Sequence, residues 1–304
     1  MRIGGGWGSE PLTEEQRAGA FAAIEAALEG GINFFDHADI YCDGKSETVF
    51  GEYLKANSGV RERIVVQSKC GILFEDEPVA GAPHRFDFSR AHIVDSAEKI
   101  LGRLGIEMLD ILLLHRPDCL VEPEEVAAAF DELEAAGKVR AFGVSNHNAG
   151  QLELLRKYVR QPLIANQLEV SLTHHGLISD GFLANQKGHP YTQASGTLDY
   201  CRLHDISVQA WSPVGGGKLF GPAEKLDATE LATAKLLQEL AADRGVEPDA
   251  IALAWLLRHP AGIQPIIGTT KPGRIAAACE ADKIEISRYE WYALLQASRG
   301  KEVP

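Results

Sequence analysis

Cysteine is scarce and unpatterned in this 304-residue chain. The five residues Cys42, Cys70, Cys119, Cys201 and Cys279 form an odd set with no CxxC pair, which argues against a disulfide framework or a thiolate zinc site. A reducing compartment fits best. Basic clusters are missing too: 30 Lys and Arg stand against 43 Asp and Glu, a formal charge of −13. Such a chain repels polyphosphate backbones, so nucleic acid and anionic membranes are not its expected partners. No segment approaches the roughly 18 apolar residues of a membrane span, and the start has no long apolar run. The expected setting is the cytoplasm.

What is present is an ordinary globular composition, with 45% hydrophobic and 24% charged residues. Length alone admits either two domains or one barrel of about 250 residues. Patterning chooses between them. Short runs rich in β-branched residues, at 2–5, 32–35, 64–68, 109–114, 139–144, 163–166, 207–210 and 264–267, alternate with longer amphipathic stretches. Helices are expected over 13–29, 46–55, 90–104, 122–136, 149–158, 198–203, 229–244 and 248–258. Eight strands, each followed by a helix or long loop, predict an α/β chain folded as one (β/α)8 TIM barrel spanning residues 1–304. A doubly wound sheet is the rival. Against it, the first strand runs into Gly4, Gly5, Gly6, Trp7 and Gly8 without the third glycine of a GxGxxG turn.

Two connections exceed ordinary loop lengths, 72–89 and 172–197. Both follow strand ends, which places them over the face where barrel sites lie. The second carries His174, His175, Asn185, Gln186, His189 and Tyr191, read as polar loop residues rather than a metal set. No metal is expected.

Polar residues appear where five strands run out: Asp36, Lys69, His115, Asn146 and Gln167. Parallel barrel strands bring such ends to one mouth. Tyr41 lies five residues past Asp36, on a loop able to bend over that mouth. A phenol with a pKa of about 10 donates protons poorly at pH 7, and each unit of tuning takes about 1.4 kcal/mol. An adjacent Lys69 ammonium would favour the phenolate, Asp36 would hold Lys69 charged, and His115 would orient a carbonyl. The set suits proton donation to an oxygen becoming an alkoxide. Its electron pair must come from a cofactor.

The segments INFFDHADIYCDGKSE, VVQSKCG, LLLHRPD, GVSNH, NQLEVSLTH, WSPVGGG and IIGTTKPGRI together resemble the aldo-keto reductase superfamily over nearly the whole chain. Within it, the chain is most similar to bacterial oxidoreductases of the potassium-channel β-subunit-like branch. The resemblance implies a (β/α)8 barrel that reduces aldehydes and ketones with a nicotinamide cofactor, its catalytic tetrad falling on Asp36, Tyr41, Lys69 and His115. By the same resemblance Ser145, Asn146 and Gln167 bind the nicotinamide carboxamide, and Trp211 stacks on its ring. The segment from Ser212 through Gly215 and Gly217 meets the pyrophosphate. Gly268, Thr269, Thr270 and Arg274 match the segment for the adenosine 2′-phosphate, so NADPH is the expected cofactor, with NAD the alternative. Gly6 borders the cofactor, and Trp7 is the expected apolar wall for substrate.

Three departures accompany these matches. Gly268 stands where many members have Lys, and Ala277 and Ala278 replace a usual Glu and Asn. The usual N-terminal β-hairpin does not precede RIGGGWG. The expected partner is a small carbonyl compound, with small or hydroxylated substrates favoured over steroid-sized ones, and the protein is expected as a monomer or small homo-oligomer. The branch also supplies an alternative function, a cofactor-binding regulatory or redox-sensing barrel with slow turnover.

Overall fold

The computed structural model describes residues 3–8, 10–183 and 196–304. They fall into two compact units, Met1–Asn166 with Thr270–Pro272, and Gln167–Thr269 with Gly273–Pro304.

The first unit alternates helices and strands: α1 (Glu14–Glu29), β1 (Phe34–Asp36), α2 (Lys45–Ala56), β2 (Val65–Cys70), β3 (Ile72–Leu73), β4 (Arg85–Phe86), α3 (Arg90–Leu104), β5 (Leu109–Leu114), α4 (Pro123–Ala135), β6 (Val139–Ser145) and α5 (Ala149–Tyr158). Local chemistry sets the helix ends. Thr13 and Gln16 close a capping box on α1, and Asn148 and Gln151 do so on α5, each satisfying amides that a helix start leaves open. Pro123 opens α4, where its missing N–H costs nothing.

The strands β1, β2, β5 and β6 pair in parallel in that order. All six residues of β5 are buried, as expected when both faces of a parallel strand are covered. Register then decides which side chains meet. Lys69 lies opposite Leu113 and Asp36 opposite Gln67. Leu113 belongs to an apolar core cluster with Ile111 and Ala165, so the period-2 alternation puts Gln67 and Lys69 on that same inner face.

β7 (Leu163–Glu169) passes from the first unit to the second after Asn166. The second unit continues with α6 (Gly176–Leu183), α7 (Thr197–Leu203), β8 (Ser207–Trp211), α8 (Ala228–Arg244), α9 (Pro248–Leu257), β9 (Gln264–Ile266), α10 (Pro272–Ala278) and α11 (Arg288–Arg299). β8 and β9 are parallel, with Gln209 opposite Gln264. The seven sheet strands run in the order β1, β2, β5, β6, β7, β8, β9.

Three expectations need correction. The run at 2–5 forms no strand among its described residues 3–5: Gly5 takes a left-handed φ of 72°, and the Gly4 amide donates to Ser46 Oγ at 3.2 Å instead of joining a ladder. A Cβ on Gly4 would stand 2.5 Å from the Ser46 nitrogen, so only glycine fits there. Second, the connection at 72–89 is not loop throughout, because β3 and β4 pair antiparallel within it. Third, the loop at 172–197 contains α6, and α11 adds a helix that sequence patterning does not single out. Arg2, Asn185, Gln186, His189 and Tyr191 lie outside the described residues.

Candidate active site

β1, β2 and β5 deliver three polar side chains to one end of the first unit. Lys69 is fully buried, and its ammonium donates to Asp36 Oδ1 and Oδ2 at 2.8 and 2.7 Å and to the His37 carbonyl at 2.7 Å. The same ammonium reaches the Tyr41 hydroxyl at 3.3 Å and lies 5.0 Å from the centre of its ring. Tyr41 meets His115 edge to face at 6.0 Å. Asp36, Tyr41, Lys69 and His115 are therefore neighbours although 79 positions separate the first from the last.

The electrostatics follow from burial. Burial alone would raise the Asp36 pKa, but the Lys69 charge and hydrogen bonds from Lys69 and Gln67 bring it down to about 2. Burial disfavours charge on Lys69, yet Asp36 and Tyr41 outweigh it and hold the ammonium. His115 is pushed down to about 3, by burial first and then by Lys69. Its ring is neutral at pH 7. The result is a fixed cation touching a phenol, with a neutral imidazole across from it. This arrangement can stabilise negative charge on the phenol oxygen and pass its proton to a nearby acceptor.

Among the other expected site residues of this unit, Ser145 is buried and its Oγ accepts from Asn146 Nδ2 at 2.8 Å, while the same Asn146 nitrogen donates to the His115 carbonyl at 3.3 Å. Asn146 follows β6 with a φ of 62°, a conformation a non-glycine residue adopts at a cost. Gly6 is exposed, with nothing within 4 Å of where its Cβ would stand. Trp7 is 50% exposed and sits edge-on against Phe74 at 5.7 Å. Thr270 is exposed.

In the second unit Gln167 is buried and donates to Gln209 at 3.0 Å. Trp211 ends β8 half-buried, and Ser212 follows it with a φ of 49°. Gly215, Gly216 and Gly217 all have positive φ, and the Gly215 and Gly217 amides close turns onto Ser212 and Val214. The feature this loop offers is bare backbone: nothing lies within 4 Å of a Cβ position at Gly216 or Gly217. Gly268 and Arg274 are exposed and Thr269 half-buried. Burial raises the Asp249 carboxyl, and the Arg274 charge pulls weakly against it.

Sequence reasoning passes over Gln67, whose Nε2 donates to Asp36 at 2.6 Å, and over Glu47 and Arg103 beneath the Tyr41 loop. Gln67 shares a strand face with Lys69 two residues away, which is the signal that could have found it.

The aldo/keto reductase family model matches residues 1–299. The chain belongs to the aldo/keto reductase family. It is 38% identical over 283 residues to the 6-dehydroglucose reductase of Agrobacterium fabrum, covering 93% of this chain and 88% of that one. A putative voltage-gated potassium channel β-subunit of Schizosaccharomyces pombe is 29% identical, covering 91% and 83%. The solved glycerol dehydrogenase of Gluconobacter oxydans superposes with a TM-score of 0.78 at 25% identity, covering 97% of this chain and 88% of that one. The fold class is thus the family's (β/α)8 barrel, and this aldo/keto reductase is an oxidoreductase acting on small molecules with a nicotinamide cofactor. None of its described helices is long and apolar enough to cross a membrane.

Proposed function

We propose that the protein reduces an aldehyde or ketone to the alcohol with NADPH, Tyr41 being the proton donor. The observation that carries this reading is the buried Lys69 ammonium held between Asp36 at 2.7 Å and the Tyr41 hydroxyl at 3.3 Å. Lys69 stabilises negative charge on the phenol oxygen as its proton leaves, Asp36 keeps Lys69 charged and aimed, and neutral His115 orients the carbonyl oxygen. A reduced nicotinamide supplies the electron pair when bound.

Two features of the chain fit such a cofactor. Asn146 and Ser212, each immediately after a sheet strand, hold left-handed conformations of the kind proteins maintain at binding sites. The side-chain-free backbone at Gly216 and Gly217 permits close approach of a bulky anion. Ser145, Asn146 and Gln167 would hold the carboxamide, Trp211 and Gly6 would flank the ring, and Ser212, Gly215 and Gly217 would face the pyrophosphate. Gly268, Thr269, Thr270 and Arg274 would meet the 2′-phosphate. Trp7, backed by Phe74, would form an apolar wall for a small or hydroxylated carbonyl. A relative named 6-dehydroglucose reductase makes an oxidised hexose the first probe.

The test is a fluorescence titration with NADPH and NADH, followed by a carbonyl panel run on the parent and Tyr41→Phe. Loss of a general acid costs about 10² to 10⁴ in rate. Tyr41→Phe should lose turnover by that factor and keep NADPH affinity. Parent-like kcat in this variant would remove Tyr41 from the role.

A further inference from the structure

The loop carrying Tyr41 rests on a cluster that the proton transfer above does not use, in which Glu47 is buried and Asp39 and Arg103 are half-buried. Asp39, two residues before Tyr41, donates its backbone amide to the Lys69 carbonyl at 3.0 Å, and its Oδ1 is buried without a hydrogen-bond partner. Behind it, in the first turn of α2, the fully buried Glu47 accepts from Ser68 Oγ at 2.5 Å and from Arg103 Nε at 2.7 Å. Arg103 reaches there from the last turn of α3, passing so close beneath Gly44 that a Cβ on Gly44 would stand 2.8 Å from its Cδ. Its Nη2 is also buried without a partner.

The charge count is uneven. Two carboxylates face one guanidinium, and Lys69, the other cation acting on Asp39, already neutralises Asp36. A second uncompensated negative charge in such a place is expensive, so the economical state carries one proton. We propose that Asp39, Glu47 and Arg103 form a positioning cluster for the loop carrying Tyr41, that its carboxylates hold one proton on the Asp39 side, and that losing this proton loosens the loop.

The surroundings favour Asp39 as the proton's holder. Burial, then the charge of Glu47, raises its carboxyl to about 8 against the pull of Arg103 and Lys69. Burial also raises the Glu47 carboxyl, but against the pull of the Arg103 charge and of hydrogen bonds from Ser68 and Arg103, partners that the Asp39 Oδ1 lacks. On the buried side the groups facing Asp39 are Glu47 from α2, Arg103 from α3, and Lys69 and Cys70 from β2; the Cys70 thiol is raised by burial and by Asp39 and Glu47. On the other side is a cavity of about 440 Å³. Asp43 of the same loop and Glu77, Arg85 and Asp87 of the β3–β4 segment line it, as do His92, Asp95 and Lys99 of α3. These rim charges are of both signs and open to solvent, where screening weakens them. The cavity gives an ionised Asp39 somewhere to turn, and Tyr41 would move with it, away from Lys69.

The inference rests on reading Tyr41 as the proton donor, so its test has an arm that needs no turnover. The kcat of the intact enzyme with NADPH and 4-nitrobenzaldehyde is followed against pH in the parent, Asp39→Asn and Asp39→Leu. Once Asp39 ionises, near pH 8, the parent should lose about ten-fold per pH unit. Asp39→Asn keeps a neutral head group of the same shape, so it should retain most of the neutral-pH rate and lack that limb, whereas Asp39→Leu should be impaired throughout. Urea unfolding from pH 5 to 9 provides the second arm. An Asp39 that binds its proton more tightly when folded makes stability fall as pH rises between about 4 and its folded value. Asp39→Asn should flatten that slope whether or not Tyr41 proves to be the acid. Ionisation of Tyr41 itself gives both proteins a limb, so the comparison is of position: a limb near pH 8 that Asp39→Asn leaves unmoved, or identical slopes of stability with pH, would overturn the proposal.

Discussion

Trp255 and Trp291 donate their indole N–H groups to each other's backbone carbonyls, at 3.1 and 3.0 Å, with their rings stacked 5.2 Å apart. The reciprocal pair ties α9 to α11. Trp255 is completely buried, so its indole needs the partner that Trp291 provides. Trp291→Ala should cost about 3 kcal/mol of unfolding free energy, the low end for an aromatic truncation because Trp291 is half-buried; the loss is of ring packing, since the residue 291 carbonyl that accepts from Trp255 stays in place. Chemical denaturation measures this, and a change under 1 kcal/mol would show that the pair is dispensable.

Lys69→Met should silence turnover and destabilise the protein, because Asp36 would be left buried without its cation. Breaking one side of a buried ion pair typically costs about 3 to 5 kcal/mol. The double variant Asp36→Asn with Lys69→Met removes that orphaned charge. It should recover much of the stability and none of the activity, which separates the structural part of Lys69 from its part in proton transfer.

Arg274→Ala should weaken NADPH while leaving NADH nearly unchanged. Arg274 is exposed, so a charge-assisted contact there belongs at the lower end of its range, about 1.5 kcal/mol or roughly ten-fold in Kd. Paired fluorescence titrations read the difference. Equal affinities of the parent for both cofactors would place the 2′-phosphate elsewhere, a result that Gly268 in place of a usual Lys makes worth seeking.

Stability should fall on the acid side of neutrality. Burial holds His115 at about 3 and His147 at about 4, the latter despite a hydrogen bond to the Ser145 carbonyl. An unfolded histidine titrates near 6.5, so below that pH the unfolded chain binds more protons and stability drops as pH falls towards the folded values. Asp36, held at about 2, adds a further loss below about 4. Urea midpoints from pH 7 down to pH 4 should decline in the parent, and less steeply in His147→Asn. Because Asp39 contributes in the opposite sense over the same range, the decisive comparison is between the two proteins: identical slopes in the parent and His147→Asn would mean that this ring is hydrated and charged when folded.

Sequence alone settled what depends on local pattern. Apolar runs such as LDILLL must be buried strands, and the helices expected over 13–29 and 149–158 form there with local caps at Thr13 and Asn148, because such signals lie within a few residues of their effect. The order of motifs also pointed to the family, and with it to Asp36, Tyr41, Lys69 and His115. Tertiary structure decided what depends on close approach. The segment at 3–5 turns away from a strand because Ser46 comes against Gly4, and the segment at 72–89 folds back as β3 and β4 because its ends pair across many residues. Gln67 left a trace in its place two residues before Lys69, but its bond to Asp36 and the Asp39, Glu47 and Arg103 cluster were hidden. Their roles arise from parallel register and from an arginine on α3 reaching a glutamate on α2, and no short-range spacing encodes a contact between residues 56 positions apart.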